Sequence, residues 1–289
     1  MKRRRFGAWF SLAVVGVMAA PLRVRVVRRR IVIADLPDAL DGLRLAHITD
    51  THFGPLTPAG LIRGALDAAI ALEPDLFILT GDYVSADARR LAPALAQIAS
   101  LVRASSPDRP PIAVLGNHDW DTDGPACAAG LRDLGVRVID NDRVFLDGPP
   151  RALVERPTPE CLCIAGVGDL WKDRVDLRAA LDGVAETIPR LLLSHHPDAA
   201  EHPAVIGSDD EPPSRVDLMI SGHLHGGQVR LPIIGAPIVP SAFGRKYLAG
   251  VVPGPRCVVA VSRGVGMSVL PVRLGAPPEI VELTLVQPA

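Results

Sequence analysis

Short apolar segments that each end on a polar, metal-binding side chain recur five times along the chain. Residues 43–49 end on Asp50-Thr51-His52, and residues 75–80 end on Gly81-Asp82. Apolar runs of this length are typical of buried strands. Ligands of open α/β sheets bind beyond the carboxyl ends of the strands, so we expect these polar residues to meet in one cleft. The other segments are 111–115 before Gly116-Asn117-His118-Asp119, 190–194 before His195, and 217–221 before Gly222-His223-Leu224-His225.

Apolar positions between the first three segments repeat with the spacing of amphipathic helices. Thr57-Pro58 predicts one helix start, with Thr57 as the N-cap. A second helix is predicted from Leu91 to Val102. This order of strands and helices predicts right-handed crossovers and a parallel core. Further strands are predicted within 24–33, 136–139, 144–146, 162–165 and 257–261, and surface loops at 104–110, 147–159 and 207–215.

The composition is that of one globular domain. With 289 residues, 48% of them hydrophobic and 22% charged, the chain is long and apolar enough to bury a full core. We assign this domain to residues 23–289. Its four cysteines lack the paired spacing of a zinc site, and they are predicted to be plain buried residues rather than a disulfide.

Charge is distributed unevenly between the N-terminus and the rest of the chain. Residues 1–30 contain nine Lys or Arg and no acid, whereas the remainder has 22 bases against 32 acids. A basic head on an acidic body predicts that residues 1–30 contact a membrane surface. It disfavours a nucleic-acid partner, which would need a basic face on the body.

The N-terminal segment has the features of a membrane anchor. Residues 6–22 form an uncharged run of 17 residues behind Lys2 to Arg5. This length lies at the lower edge for a spanning helix and above that of a usual signal-peptide core. We predict an uncleaved anchor over residues 1–22 in a bacterial-type cytoplasmic membrane, on a side that the flanking charges do not determine. A cleaved export signal and a buried helix are the alternatives.

The polar residues at the five strand ends form a donor set suited to two metal ions. Asp82 follows a glycine, which allows close backbone approach and lets its carboxylate bridge two ions. Asn117 offers a neutral amide oxygen beside stronger donors. Two ions about 3.5–4 Å apart could clamp a phosphate, and a mixed nitrogen and oxygen set suits Mn, Fe, Zn or Co better than Ca or Mg. The remaining predicted ligands are Asp50, His52, His195, His223 and His225.

Each motif alone also has a purely structural interpretation. An Asp-x-His pair is common, Gly-Asn-His-Asp can be an ordinary turn, and Gly-His-x-His can be a surface loop. Their joint occurrence at five strand ends favours the metal site. His47, inside a strand, and His202, beside Pro203, are interpreted as structural, and His196 is expected to point away from the His195 side.

The five blocks resemble the calcineurin-like metallophosphoesterase superfamily, whose motifs are D-x-H, G-D, G-N-H-D/E, H and G-H-x-H. The resemblance implies a four-layer α-β-β-α sandwich. It implies that His118 protonates or stabilises the leaving oxygen while Asp119 orients it. The frequent G-D-x-x-D motif ends here on Ser85 instead of an acid. The implied ligands are Asp50, His52, Asp82 and His225 for one ion, and Asp82, Asn117, His195 and His223 for the other.

A narrower resemblance, carried by residues 222–232 and the basic N-terminus, is to the membrane-associated branch of the superfamily. Some of its members cleave the pyrophosphate of UDP-2,3-diacylglucosamine in lipid A synthesis. The leading hypothesis is therefore a phosphodiester or pyrophosphate hydrolase acting on a membrane or lipid-linked substrate. A degenerate scaffold of the same fold and a nuclease of the same superfamily are the alternatives.

Overall fold

The computed structural model describes residues 23–207 and 213–288. The predicted anchor over residues 1–22 lies outside the described residues. Within those two ranges, no helix is both long enough and apolar enough to cross a membrane.

Strands and helices alternate through the first half of the described chain, and strands predominate in the second. The helices are α1 (Ala59–Ile70), α2 (Leu91–Ala104), α3 (Asn117–Asp133), α4 (Leu177–Leu181) and α5 (Pro203–Ile206). The strands are β1 (Arg25–Val32), β2 (Leu43–Ile48), β3 (Leu76–Thr80), β4 (Ile112–Val114), β5 (Arg137–Val138), β6 (Asp142–Asp147), β7 (Leu153–Val154), β8 (Cys161–Gly166), β9 (Arg190–Leu193), β10 (Leu218–Ser221), β11 (Gly250–Pro253), β12 (Val258–Val261) and β13 (Glu279–Val286).

These strands form two sheets, one with the order β1-β13-β2-β3-β4-β5 and one with the order β11-β12-β10-β9-β8-β6-β7. In the first sheet β2 to β5 are parallel, while β13 runs antiparallel to β2 and parallel to β1. In the second sheet β8, β9, β10 and β12 are parallel. The five motif strands are therefore parallel to their neighbouring motif strands, as predicted.

Side chains that alternate along each strand separate three hydrophobic clusters. On β3, Leu76 and Ile78 face the cluster between the two sheets, whereas Phe77 and Leu79 face the cluster beneath α1, α2 and α3. A third cluster lies between the second sheet and the short helices α4 and α5. The mixed α/β prediction with two sheets is confirmed, and helix, sheet, sheet and helix follow one another as layers.

Several predicted elements need correction. Thr57 is not an N-cap: α1 has Pro58 in that position without a side-chain cap, and Thr57 Oγ1 instead accepts from Met267 N–H at 2.9 Å. The loop predicted at 147–159 contains β7, which pairs with β6. No sequence pattern predicted β11, β13 or α3. The helix α3 is interrupted at Asp123 before Pro125. Four free cysteines, all buried, agree with the prediction.

Candidate metal centre

Five of the predicted ligands follow their strands with a left-handed backbone. The φ angles of Asp50, His52, Asp82, His223 and His225 are 54°, 43°, 56°, 69° and 51°. Non-glycine residues rarely adopt this region, and it persists where the surrounding structure enforces it, frequently at functional sites. Each strand thus ends in a sharp turn that aims its side chain into the space beyond the sheet, and the surrounding contacts must offset the cost.

The first group of donors comprises Asp50, His52 and His225, all buried. His225 Nε2 lies 3.3 Å from Asp50 Oδ1 and 3.0 Å from His52 Nε2. Asp50 is fixed from both sides, because Thr49 Oγ1 and the His223 amide donate to its carboxylate. Three donors from the ends of β2 and β10 therefore point at one location.

The second group comprises Asp82, His195 and His223. His223 Nδ1 lies 3.2 Å from His195 Nε2 and 3.0 Å from Asn117 Oδ1, so the amide of Asn117 joins this group. Asp82 Oδ2 is 3.3 Å from His195 Nε2 and 3.4 Å from His52 Nε2. The same carboxylate oxygen thus contacts both groups of donors, which is the position that a bridging ligand requires.

The spacing of these donors fits divalent ions. Nitrogen and oxygen ligands about 2.0–2.2 Å from an ion lie roughly 3.0–3.5 Å from one another in tetrahedral or octahedral geometry. Donor separations of 3.0 to 3.4 Å within and between the two groups fall in this range, and His52 Nε2 lies 3.9 Å from Asp50 Oδ1. Gly116 permits a close approach of its backbone to Asp82 and His195. A Cβ at Gly116 would collide with Asp82 Oδ1 and with His195 Nδ1.

Buried carboxylates and imidazoles shift one another's pKa values inside the centre. Burial by itself raises the pKa of Asp82, but the charge and hydrogen bond of His195, together with His52 and His118, hold that pKa well below its usual range. Burial raises the pKa of Asp50 to about 6, and burial lowers the pKa of His52 to about 3. Burial by itself lowers the pKa of His195, but the carboxylates of Asp82 and Asp50 raise it well above its usual range. His52 is thus neutral, as metal coordination requires, whereas a metal ion at His195 would displace a proton.

The ring of His195 is oriented by the neighbouring sheet. Its Nδ1 lies 2.7 Å from the backbone oxygen of Thr80, at the end of β3. A carbonyl accepts only from a protonated nitrogen, so Nδ1 carries the hydrogen and Nε2 is directed toward Asp82. This contact also joins the ends of the two sheets at the site.

Asp119 contacts backbone amides rather than the ring of His118. Its two carboxylate oxygens accept from the amides of Asp82, Tyr83 and Gly116 at 2.7, 2.8 and 3.0 Å. The expected orientation of His118 by Asp119 is therefore corrected. Asp119 instead fixes the turn that carries Asp82 against the start of α3.

We expect Asp119→Ala to lower the free energy of unfolding by about 2–4 kcal/mol, because three buried amides lose their acceptor. Urea unfolding followed by circular dichroism measures this change. Asp133→Ala, at the exposed end of α3, is the matched control and is expected to change stability by no more than about 0.5 kcal/mol. Equal effects of the two substitutions would contradict the assigned role of Asp119.

His118 lies at the edge of the centre and is only half-buried. Its amide donates to Asp82 Oδ1 at 2.9 Å, and its ring stands edge-on to His52 with centroids 4.8 Å apart. Its buried Nδ1 has no hydrogen-bond partner within the described chain. His52, Asp82 and His118 also form a third group of potential ligands. The position therefore suits either contact with a substrate oxygen or a metal.

Three residues beside the centre were absent from the sequence predictions. Buried Arg273 donates to His225 Nδ1 at 3.0 Å, and no local pattern identifies it because it is distant in sequence. Asp169, fully buried, follows β8 after Val167-Gly168, so the rule of a polar residue after an apolar strand could have found it. Exposed Trp171 stands edge-on to His223 at 4.5 Å.

The other histidines divide as follows. His47 is buried within β2 and its Nε2 lies 2.7 Å from Thr80 Oγ1, while His202 Nδ1 accepts from the Ala204 amide at the start of α5. Neither belongs to the groups of potential ligands within the described residues. His196 was expected to point away from the site, but its ring stacks on His223 with centroids 4.0 Å apart. The His196 ring therefore packs against the predicted ligand His223.

Imidazoles, carboxylates and an amide buried together at strand ends are typical of metal-dependent hydrolases. The chain belongs to the calcineurin-like phosphoesterase family, whose model matches residues 43–227, from the start of β2 to just past His225. It is therefore a metal-dependent phosphoester hydrolase.

Relatives of this chain include proteins with named activities. Phosphodiesterase YaeI of Escherichia coli is 31% identical over 246 residues, which cover 84% of this chain and 82% of that protein. The UDP-2,3-diacylglucosamine pyrophosphatase LpxG of Chlamydia trachomatis is 25% identical over 232 residues, 67% of this chain and 66% of that protein. A transmembrane protein with metallophosphoesterase domain from Danio rerio is 28% identical over 284 residues, 96% of this chain and 60% of that protein.

Proposed function

We propose that this protein hydrolyses phosphodiester or pyrophosphate bonds with two divalent ions, on a membrane or lipid-linked substrate such as UDP-2,3-diacylglucosamine. The observation that carries the proposal is the pair of donor groups joined by Asp82 Oδ2. In this proposal, the first ion is held by Asp50, His52, Asp82 and His225. The second is held by Asp82, Asn117, His195 and His223.

Bound divalent ions supply Lewis acidity, which activates water and neutralises phosphate charge; Mn, Fe, Zn or Co suit these donors. The chain's own residues do the rest. Asp82, whose Oδ2 faces both groups of donors, would offset the repulsion between two bound cations. His195, with a hydrogen on Nδ1, would present Nε2 to an ion. His118, at the open edge, is placed to give a proton to the departing oxygen.

Support for a membrane or lipid-linked substrate comes from outside the metal centre. One relative is named a pyrophosphatase of UDP-2,3-diacylglucosamine and another a transmembrane protein. The basic, apolar N-terminus of this sequence is consistent with attachment to a bacterial-type cytoplasmic membrane. Together these features favour a substrate that resides in the bilayer over a freely soluble nucleotide.

Hydrolysis of bis-p-nitrophenyl phosphate tests the reaction. Full-length protein purified in detergent is expected to release p-nitrophenolate with added Mn²⁺, to lose this activity on chelation and to regain it when the ion is restored. A folded protein that binds the ions but hydrolyses no diester would instead be a scaffold.

The substrate class requires a second comparison. UDP-2,3-diacylglucosamine and UDP-N-acetylglucosamine share the pyrophosphate and the uridine but differ in their long acyl chains. Cleavage of the pyrophosphate releases UMP from both. We expect faster release from the acylated compound in mixed micelles. Equal release would contradict selection for a lipid-linked substrate while leaving the reaction class intact.

A further inference from the structure

Two neighbouring loops next to the metal centre expose apolar side chains to solvent. Ile233 is fully exposed, Val269 is 87% exposed and Ile238 is 79% exposed. Soluble surfaces rarely cluster apolar side chains in this way unless they bind a partner. We call this surface the apolar rim, and its members are Leu231, Ile233, Ile234, Ile238, Val269 and Leu270.

The side chains of the rim are exposed on loops with an unusual backbone conformation. Ile233 and Val269 have φ angles of 70° and 61°, which are unfavourable for β-branched residues. Gln228 connects the two loops, because its Nε2 donates to the backbone oxygens of Ser268 and Leu270 at 2.8 and 2.9 Å. The exposed side chains therefore belong to one hydrogen-bonded surface. The backbone of Ile233 and that of Val269 are strained in this conformation.

This surface is attached directly to the metal centre. Gln228 follows His225 by three residues. Arg273 also connects the metal centre to the second loop. Its guanidinium donates to His225 Nδ1 and to the backbone oxygen of Gly266, just before that loop. A molecule that contacts the rim would thus lie beside the catalytic ligands.

Basic residues lie next to the rim in sequence. Residues 218–278 contain six Arg or Lys and no Asp or Glu; of these, Arg273 is buried, Arg263 pairs with Glu279 and Lys246 pairs with Glu201. Arg230 precedes Leu231 in sequence, and Arg245 donates to the backbone oxygen of Ala236 between the apolar side chains. Exposed apolar side chains with Arg230 and Arg245 beside them suit the interface of a bilayer with anionic headgroups.

The sheet topology brings the start of β1 to the same edge. Because β13 is antiparallel to β2, the beginnings of β13 and of its parallel neighbour β1 lie at the carboxyl end of β2, beside the metal centre. The Arg25 amide donates to the Pro278 oxygen, and the Glu279 amide to that of Gly264. Gly264 in turn lies against Asp50. β1, which begins three residues after the basic, apolar residues 1–22 in sequence, therefore starts on the edge that carries the site.

We propose that the apolar rim inserts into the headgroup region of an anionic phospholipid bilayer and turns the metal centre toward the membrane. This inference goes beyond the proposed reaction, since it assigns a lipid-contacting surface to loops of the folded domain. Insertion to a depth of about 5–10 Å would cover the exposed tips. A substrate anchored in the bilayer would then reach the metal ligands without leaving the lipid.

Site-specific fluorescence in the full-length chain tests the proposal. The four native cysteines are buried, so a label on Ile233→Cys can be placed selectively. The matched control is Val32→Cys, which is 60% exposed at the far end of β1. With vesicles of phosphatidylcholine and phosphatidylglycerol, brominated acyl chains are expected to quench the Ile233 label and to shift its emission to the blue. The Val32 label is expected to remain unquenched.

Equal quenching of both labels, or an unquenched Ile233 label on vesicle-bound protein, would overturn the proposal. Residues 1–22 are present in both variants, so the comparison reports how close each labelled side chain lies to the acyl chains and not whether vesicles are bound. If Ile233→Ser with Ile234→Ser splits a dimer without changing vesicle contact, the rim is an interface between copies and the proposal is wrong. The quenching does not depend on turnover, so failure of the proposed hydrolysis would appear separately, as absent diester cleavage in every variant.

Discussion

Asp82→Asn is expected to abolish hydrolysis of bis-p-nitrophenyl phosphate and to lower the metal content from two ions to one or none. The substitution keeps the size of the side chain but removes the negative charge that faces both groups of donors. Two cations a few ångströms apart repel each other strongly unless an anion lies between them. Loss of an outer-shell partner typically costs about 10–100-fold, and we expect loss of the bridge to exceed that range.

Metal content by mass spectrometry and initial rates at saturating Mn²⁺ measure the two effects together. Asp140→Asn is the matched control, because Asp140 is a half-buried carboxylate at a strand end and accepts only from the Leu115 amide among the bonds described. It is expected to keep both ions and near-normal turnover. If Asp82→Asn also retains two tightly bound ions, Asp82 is not a bridge.

The motif strands could be predicted because their signal is local. An apolar run such as Leu76–Thr80 followed by Gly81-Asp82 contains both the strand and its ligand within a few residues. Parallel pairing of such strands is enough to bring their ends together. The convergence of Asp50, Asp82 and His223 thus follows from the pattern and from the rule that ligands gather at carboxyl ends.

Residues whose position depends on distant contacts could not be predicted in this way. Arg273 contacts His225 across 48 positions of sequence, and nothing in its own surroundings marks it. The strand β13 lies between β1 and β2 although it comes last in the sequence, so its place in the sheet is set by pairing alone. For Asp119, the resemblance suggested an interaction with His118, whereas local amide donors satisfy its carboxylate.

His118→Ala is expected to keep the metal content and to lose about 10²–10⁴-fold in rate on substrates with a poor leaving group, which is the usual contribution of general acid catalysis. The loss should be much smaller for bis-p-nitrophenyl phosphate, because p-nitrophenolate departs without needing a proton. A phenyl or alkyl diester, compared with the nitrophenyl diester in both proteins, provides the measurement. His202→Ala, which removes an imidazole outside the centre, is the control and should change neither rate.

The leaving-group comparison decides between the two roles that the geometry of His118 allows. As a metal ligand together with His52 and Asp82, it would lose an ion on substitution, and all substrates would slow by the same factor. As a proton donor, with an unpartnered Nδ1 and a half-buried ring at the open edge, it would affect only substrates that need the proton. We expect the second outcome, because the two main donor groups already contain enough ligands to hold both ions without His118.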